Sequence, residues 1–183
     1  MLEIVPILGI DYSMANLTFD DRKCVHTVNE DKPNEYIDLL HAVSKSYKLI
    51  SPSSLFYGFG ANTVLKVTEV SDLFVGTGDL LNPVVMTDTL ERQYYEALKR
   101  VELNLPVNFA SLIKKSIDFA EKSLEHYQKD DVNNCLTYFV MYIFCAGIID
   151  DLDACVSQLA RAIHLPLSIT IVQIRPDSPE IDI

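Results

Sequence analysis

No Cys-x-x-Cys pair occurs in this 183-residue chain. Cys24, Cys135, Cys145 and Cys155 stand apart, two of them in strongly apolar runs where cysteine behaves as a small buried hydrophobe, so a reduced, intracellular protein is expected. The chain also lacks a basic region followed by an apolar stretch and a small-residue cleavage site, which gives secretion no support. Its apolar run from Tyr138 to Ala146 is far too short to span a bilayer. Basic patches are missing as well: 15 basic against 26 acidic residues give a net charge of -11, and Lys99-Arg100 and Lys114-Lys115 are helix-surface pairs. Nucleic-acid backbones and anionic lipid surfaces are thereby disfavoured as direct partners. Gly58-x-Gly60 is too short to cradle phosphate, and no Walker-type lysine follows it. There is no internal repeat and no low-complexity tract.

What is present suits one compact domain over residues 1–183, with a core from about residue 4 to 174 and a polar tail from Arg175 to Ile183. Hydrophobic residues at 49% and charged residues at 22% are ordinary globular usage. Ile4 to Ile10 is a continuous apolar run ending at Asp11, as expected of a central strand covered on both faces, with Pro6 deferring regular pairing to Ile7. A short strand is expected around Cys24 to Val28. Pro33 opens a helix in which Tyr36, Leu39, Leu40, Val43 and Tyr47 form one apolar stripe. Leu55 to Phe59 reads as a strand, and Val64 to Val75 as one or two short ones.

Asp88 with Glu91 predicts a capped helix start, and Asn108 is expected to cap the next helix, whose buried face runs from Phe109 to Leu124. Leu136 to Ala146 reads as a buried strand ended by Gly147. Leu152, Cys155, Val156, Leu159, Ala160 and Ile163 form the last amphipathic helix, and Leu167 to Ile174 the last strand. Strands alternating with helices predict a three-layer, doubly wound, Rossmann-like α/β fold, with a mostly parallel central sheet and helices on both faces. Such a sheet accommodates one antiparallel edge strand. Its ligand crevice lies outside the carboxyl ends of the strands, where the first strand delivers Asp11 to Asn16.

Ile10-Asp11-Tyr12-Ser13-Met14-Ala15-Asn16 resembles the Asp-x-Ser/Thr-x-Ser signature of the von Willebrand factor A metal-dependent adhesion site, in its copine version. Further segments resemble that version in order: Pro33-Asn34-Glu35-Tyr36, Gly58-Phe59-Gly60-Ala61, Asn108-Phe109-Ala110, and Leu165-Pro166-Leu167-Ser168-Ile169 with Ile171-Val172. The resemblance implies a copine-type von Willebrand factor A domain over Ile4 to Ile174. In that family an Asp and two hydroxyls from the first loop, a Thr from a second and an Asp from a third hold the ion. Asp11 and Ser13 match the first two positions; Ala15, Val107 and Ala146 stand at the other three and offer no side-chain oxygen. Magnesium demands near-octahedral oxygen ligands and gives up water reluctantly, so no cofactor is expected, with Mg²⁺ or Mn²⁺ bound weakly at most, through Asp11, Ser13 and waters or through Asn16, Asp150 or Asp151. Without a metal, Asp11 reads as a solvated or hydrogen-bonded turn residue after its strand.

The acids Asp150, Asp151 and Asp153 could suggest a Mg²⁺-dependent phosphatase, but they begin a helix, where carboxylates cap free backbone donors. His26, His41, His126 and His164 have no partner at motif spacing and read as surface or helix-end residues. The implied function is therefore non-enzymatic protein binding at a loop-end face comprising Asp11, Tyr12, Ser13, Asn16, Val107, Asn108 and Asp150. Copines use such a domain to recruit target proteins to membranes in signalling and traffic, through calcium-dependent lipid-binding modules absent from this chain. Membrane attachment would be indirect and the location cytoplasmic, membrane-associated in the full-length protein. A related plant family couples a similar domain to a zinc-binding ubiquitin-ligase finger; the Cys/His finger is absent here.

Overall fold

The computed structural model describes residues 2–17, 24–28, 32–63, 66–79, 81–129 and 135–174. Nine strands are described: β1 (Leu2–Asp11), β2 (Ser53–Phe59), β3 (Ala61–Thr63), β4 (Lys66–Ser71), β5 (Phe74–Val75), β6 (Val84–Met86), β7 (Val101–Leu103), β8 (Leu136–Cys145) and β9 (Leu167–Gln173). Four helices accompany them: α1 (Glu35–Tyr47), α2 (Leu90–Leu98), α3 (Ala110–Lys129) and α4 (Leu152–Ala162). The main sheet has the order β5-β2-β1-β8-β9, and β6 also pairs with β2. The three inner pairings, among β2, β1, β8 and β9, are parallel, while β5 and β6 add antiparallel edges to β2. A small antiparallel sheet, β4-β3-β7, follows directly from β2 through Gly60, whose φ of 75° is easily reached only without a side chain.

β1 is central, as its unbroken apolar run predicts, and Ile7, Leu8 and Ile10 are fully buried. Each such side chain contributes about 1.5–3 kcal/mol by leaving water. Pro6 defers pairing on one side only: β2 joins at Ile7, opposite Leu55, whereas β8 runs alongside from Leu2. Alternation along the strand divides the core. Leu8, Ile10 and Tyr12 pack with Tyr36, Ile37 and Leu40 of α1 and Leu90 and Tyr94 of α2. Ile7, with Met141 and Ile143 of β8, packs with Leu112, Ile113 and Ile117 of α3 on the other face. Gly9 lets α3 approach, since a β-carbon there would overlap the Leu112 side chain. The predicted three layers, with helices on both faces of a mostly parallel sheet, are the structure found.

Four local expectations are corrected. Cys24 makes only an isolated bridge to Leu17, and residues 25 and 26 form a turn, so no strand follows it. Asp88 lies in a 3-10 turn, Thr87–Thr89, ahead of α2, with no side-chain cap. Asn108 does not cap α3: its amide donates to Asp72 Oδ1 at 3.2 Å, and the helix start is held by Asp151 instead. The stripe on α4 is turned outward: only Cys155 of that helix is buried, while Leu152, Val156 and Leu159 are exposed, as is Ile163 just beyond it. No helix among the described residues is long and apolar enough to cross a membrane.

Candidate functional site

The chain leaves β1 toward β2 on one side and later returns to place β8 on the other, so the switch point of the sheet lies between the ends of β1 and β8. Asp11 ends one strand and Ala146 follows the other. Asp11 has no exposed surface; its Oδ1 accepts the Ser13 N–H at 2.8 Å and its Oδ2 accepts the Ala146 N–H at 3.0 Å. Burial pushes its carboxyl above the usual range, and the Ser13 hydroxyl and the N–H groups of Ala146, Ser13 and Gly147 oppose that shift. Ser13 is equally buried, its Oγ accepting the Ala15 N–H at 3.3 Å to cap the 3-10 turn Met14–Asn16.

The other two loops close over this pair. A β-carbon placed on Gly147 would lie 2.5 Å from Ala15 Cβ and 3.0 Å from Val107 Cγ2, so the apolar residues at two of the family's ligand positions meet against one glycine. Val107 is 2% exposed, and Ala146 is buried beside it. The Leu105–Pro106 peptide leading into Val107 is cis. Asp150 clasps the same loop: its Oδ2 accepts the Val107 N–H at 2.7 Å, and its own N–H donates to the Val107 carbonyl at 3.0 Å. Asp151 takes the free donors at the start of α3, Phe109 N–H at 3.3 Å and Ala110 N–H at 2.8 Å, and accepts the Cys155 thiol proton at 3.3 Å.

The fit to a divalent ion can be judged from these donors. Backbone amides point N–H groups at both Asp11 oxygens, the facing loops supply methyl groups, and the carboxylates of Asp150 and Asp151 are turned to the backbone of residues 107 to 110. Such a set does not make the near-octahedral oxygen shell of Mg²⁺ or Mn²⁺. Among the described residues no group of three or more His, Cys, Asp or Glu is placed to hold a metal ion.

Asn16 cannot contribute either. Its amide donates to the carbonyls of Asp11 and Ser13, each at 3.0 Å, and its Oδ1 accepts the Tyr36 hydroxyl at 2.7 Å. His26, expected at the surface, is buried in this bracket. Because a carbonyl can only accept, His26 Nε2–H donates to the Asp11 carbonyl at 2.9 Å, leaving Nδ1 to accept the Tyr94 hydroxyl at 2.7 Å; Tyr94 in turn accepts from Asn34 Nδ2 at 3.1 Å. Burial lowers the imidazole to about 4, so it is neutral. Its ring stacks on Tyr36 at 4.5 Å and on Tyr12 at 5.3 Å. No motif spacing signals this role for His26; the apolar surroundings come from α1 and α2, which only the fold brings together.

Of the seven residues expected to touch a partner, Asp11, Tyr12, Ser13, Asn16 and Val107 are buried; Asn108 is half-buried and Asp150 exposed. The loops converge as the sequence predicts, but the first five form the floor of the face.

Comparison with known proteins accords with this geometry. The sequence model of the copine family, described as "Copine", matches residues 24–178. Two similar curated proteins, both called "Nicotinic receptor-associated protein 1", are from Caenorhabditis briggsae, at 28% identity over 171 residues, and Caenorhabditis elegans, at 28% over 172. In each case the match covers 90% of this chain and 25% of the relative, so the chain spans about a quarter of their length. With a family match over most of its length and a von Willebrand factor A-like fold built around the strand-end loops, the chain belongs to the copine family.

Proposed function

We propose that this chain is a non-catalytic protein-interaction module that holds its partner at the loop-end face without a bridging cation. The observation that carries the reading is the closure of Ala15 and Val107 on Gly147 above a buried Asp11 whose two oxygens already accept backbone N–H groups. The reading is supported by how the described side chains of this corner are occupied: the Ser13 hydroxyl caps a turn, and both ring nitrogens of His26 are engaged in hydrogen bonds. The carboxylates a phosphatase would need, Asp150 and Asp151, hold the backbone of residues 107 to 110.

Within a longer copine, the role that follows is recruitment of target proteins to membranes through calcium-dependent lipid-binding modules outside this chain. The relatives are named for association with a nicotinic receptor, which makes a membrane-receptor complex the first partner class to examine. Affinity capture from a cell extract tests the reading, comparing chelator with Mg²⁺ and the parent chain with Ile148→Ser, a change at an exposed residue of the third loop. The same proteins should be retained in chelator and lost with the substitution. Capture that needs Mg²⁺, or that ignores Ile148, would contradict it.

A further inference from the structure

Each of the three loops that brings an apolar residue to the closed corner also carries an exposed aliphatic side chain within two positions of it. Met14 precedes Ala15 and is 42% exposed; Leu105 lies two residues before Val107 and is 51% exposed; Ile148 follows Gly147 and is 85% exposed. The backbone ties these loops laterally: Met14 N–H donates to the Asn104 carbonyl at 2.7 Å, beside Leu105, and Asp150 N–H donates to Val107. Leu152, opening α4 next to the Asp151 cap, is 56% exposed four residues after Ile148. Aliphatic groups held by a rigid hydrogen-bonded floor contact apolar groups better than they contact water.

Among the described residues the charge carried by these loops is acidic, and the nearest cation, Arg100, is turned to the backbone of Gly76, to whose carbonyl it donates at 2.9 Å. The segments 11–17, 102–109, 146–153 and 72–79 contain no Lys or Arg, while Asp72, Glu102, Asp150 and Asp153 are exposed on them. With a chain net charge of -11, this rim attracts cations and repels carboxylates over about a Debye length.

We propose that the loop-end face binds a partner segment in which an aliphatic or aromatic side chain is flanked by Lys or Arg: the apolar group rests on Met14, Leu105, Ile148 and Leu152, and the basic groups face Asp150 and Asp72. A cation-bridged site would select a partner carboxylate; this face selects against one. The inference rests on the interaction reading above but commits further, to the chemistry of the partner.

The test is selection of a phage-displayed random peptide library on the intact chain in chelator, followed by affinity measurement on the enriched peptides. Enriched sequences should carry an apolar residue with flanking Lys or Arg. Their affinity should fall about tenfold or more with Ile148→Ser or at raised salt, fall with Asp150→Asn, which can still accept the Val107 N–H, and be unchanged by Leu49→Ser, in the exposed turn between α1 and the start of β2, at the opposite end of the strands. Enrichment of acidic or uncharged sequences, no enrichment, or affinities indifferent to Ile148 would overturn the proposal. If extract capture depends on Ile148 while selection yields no basic motif, only the inference fails. If capture and selection both ignore Ile148, the interaction reading fails with it.

Discussion

The carboxylate of Asp11 and the backbone N–H of Ala146 meet at 3.0 Å across the switch point of the sheet, joining the ends of β1 and β8. In an open α/β sheet that point is where a ligand enters. Here it is spanned by a protein hydrogen bond and roofed by Ala15, Val107 and Gly147, so the surface available to a partner lies one layer further out.

Gly147 is the tightest point of that roof. A Gly147→Ala substitution must push apart Ala15 and Val107, both on loops fixed by backbone hydrogen bonds, and overpacking of this kind costs about 1–3 kcal/mol. Urea unfolding should show a lower midpoint with an unchanged slope. An unaltered midpoint would mean that the three loops do not close together.

Asp151 binds the start of α3 from a distance in sequence. Asp151→Ala leaves the N–H groups of Phe109 and Ala110 without their acceptor and should cost about 0.5–2 kcal/mol, the range for losing a helix cap. Asn108→Ala, whose side chain reaches Asp72 at the surface, should cost less. Thermal melts of the two variants check the order.

His26 gives the stability a dependence on pH. Its folded value of about 4 lies below its ordinary 6.5, so the unfolded chain takes up a proton first as pH falls. The stability held by the neutral imidazole is therefore complete above 6.5 and is lost progressively down to about 4. Between pH 7 and 4.5 the loss should be roughly 2 kcal/mol greater for the parent than for His26→Gln, measured by urea unfolding at each pH. Asp11 acts in the opposite sense: its raised carboxyl takes up a proton more readily in the folded chain, so its contribution falls as pH rises above 3.8. Comparison with His26→Gln isolates the imidazole. Equal slopes for parent and variant would show that the ring titrates normally and is not buried in the bracket.

These residues also mark how far the sequence could be read. The apolar run before Asp11, the helical stripe from Tyr36 to Tyr47 and the apolar run before Gly147 each carry their structure locally, and through them the layers, the central strand and the meeting of three loops were legible. Position after a strand does not tell whether a side chain faces solvent: Tyr12 and Asn16 are drawn under the loop by His26, Tyr36 and Tyr94. Spacing favours a neighbour, Asn108, as the cap of α3, but the acceptor comes from Asp151, some forty residues later, once β8 has been laid beside β1. The outward stripe on α4 has the same periodicity as a buried one, and periodicity alone does not say which side of a helix another layer covers.

The central claim is that the loops present too few oxygens to hold a small divalent ion, and calorimetric titration with Mn²⁺ and Mg²⁺ tests it most directly. A parallel titration uses the variant Ala15→Ser, Val107→Thr, Ala146→Asp, which returns two hydroxyls and a carboxylate beside Asp11. The expected result is no binding heat and no thermal stabilisation for the parent, with both appearing in the triple variant, since a ligand of the folded state raises its stability with occupancy. Saturable binding by the parent that disappears with Asp11→Ala would contradict the account.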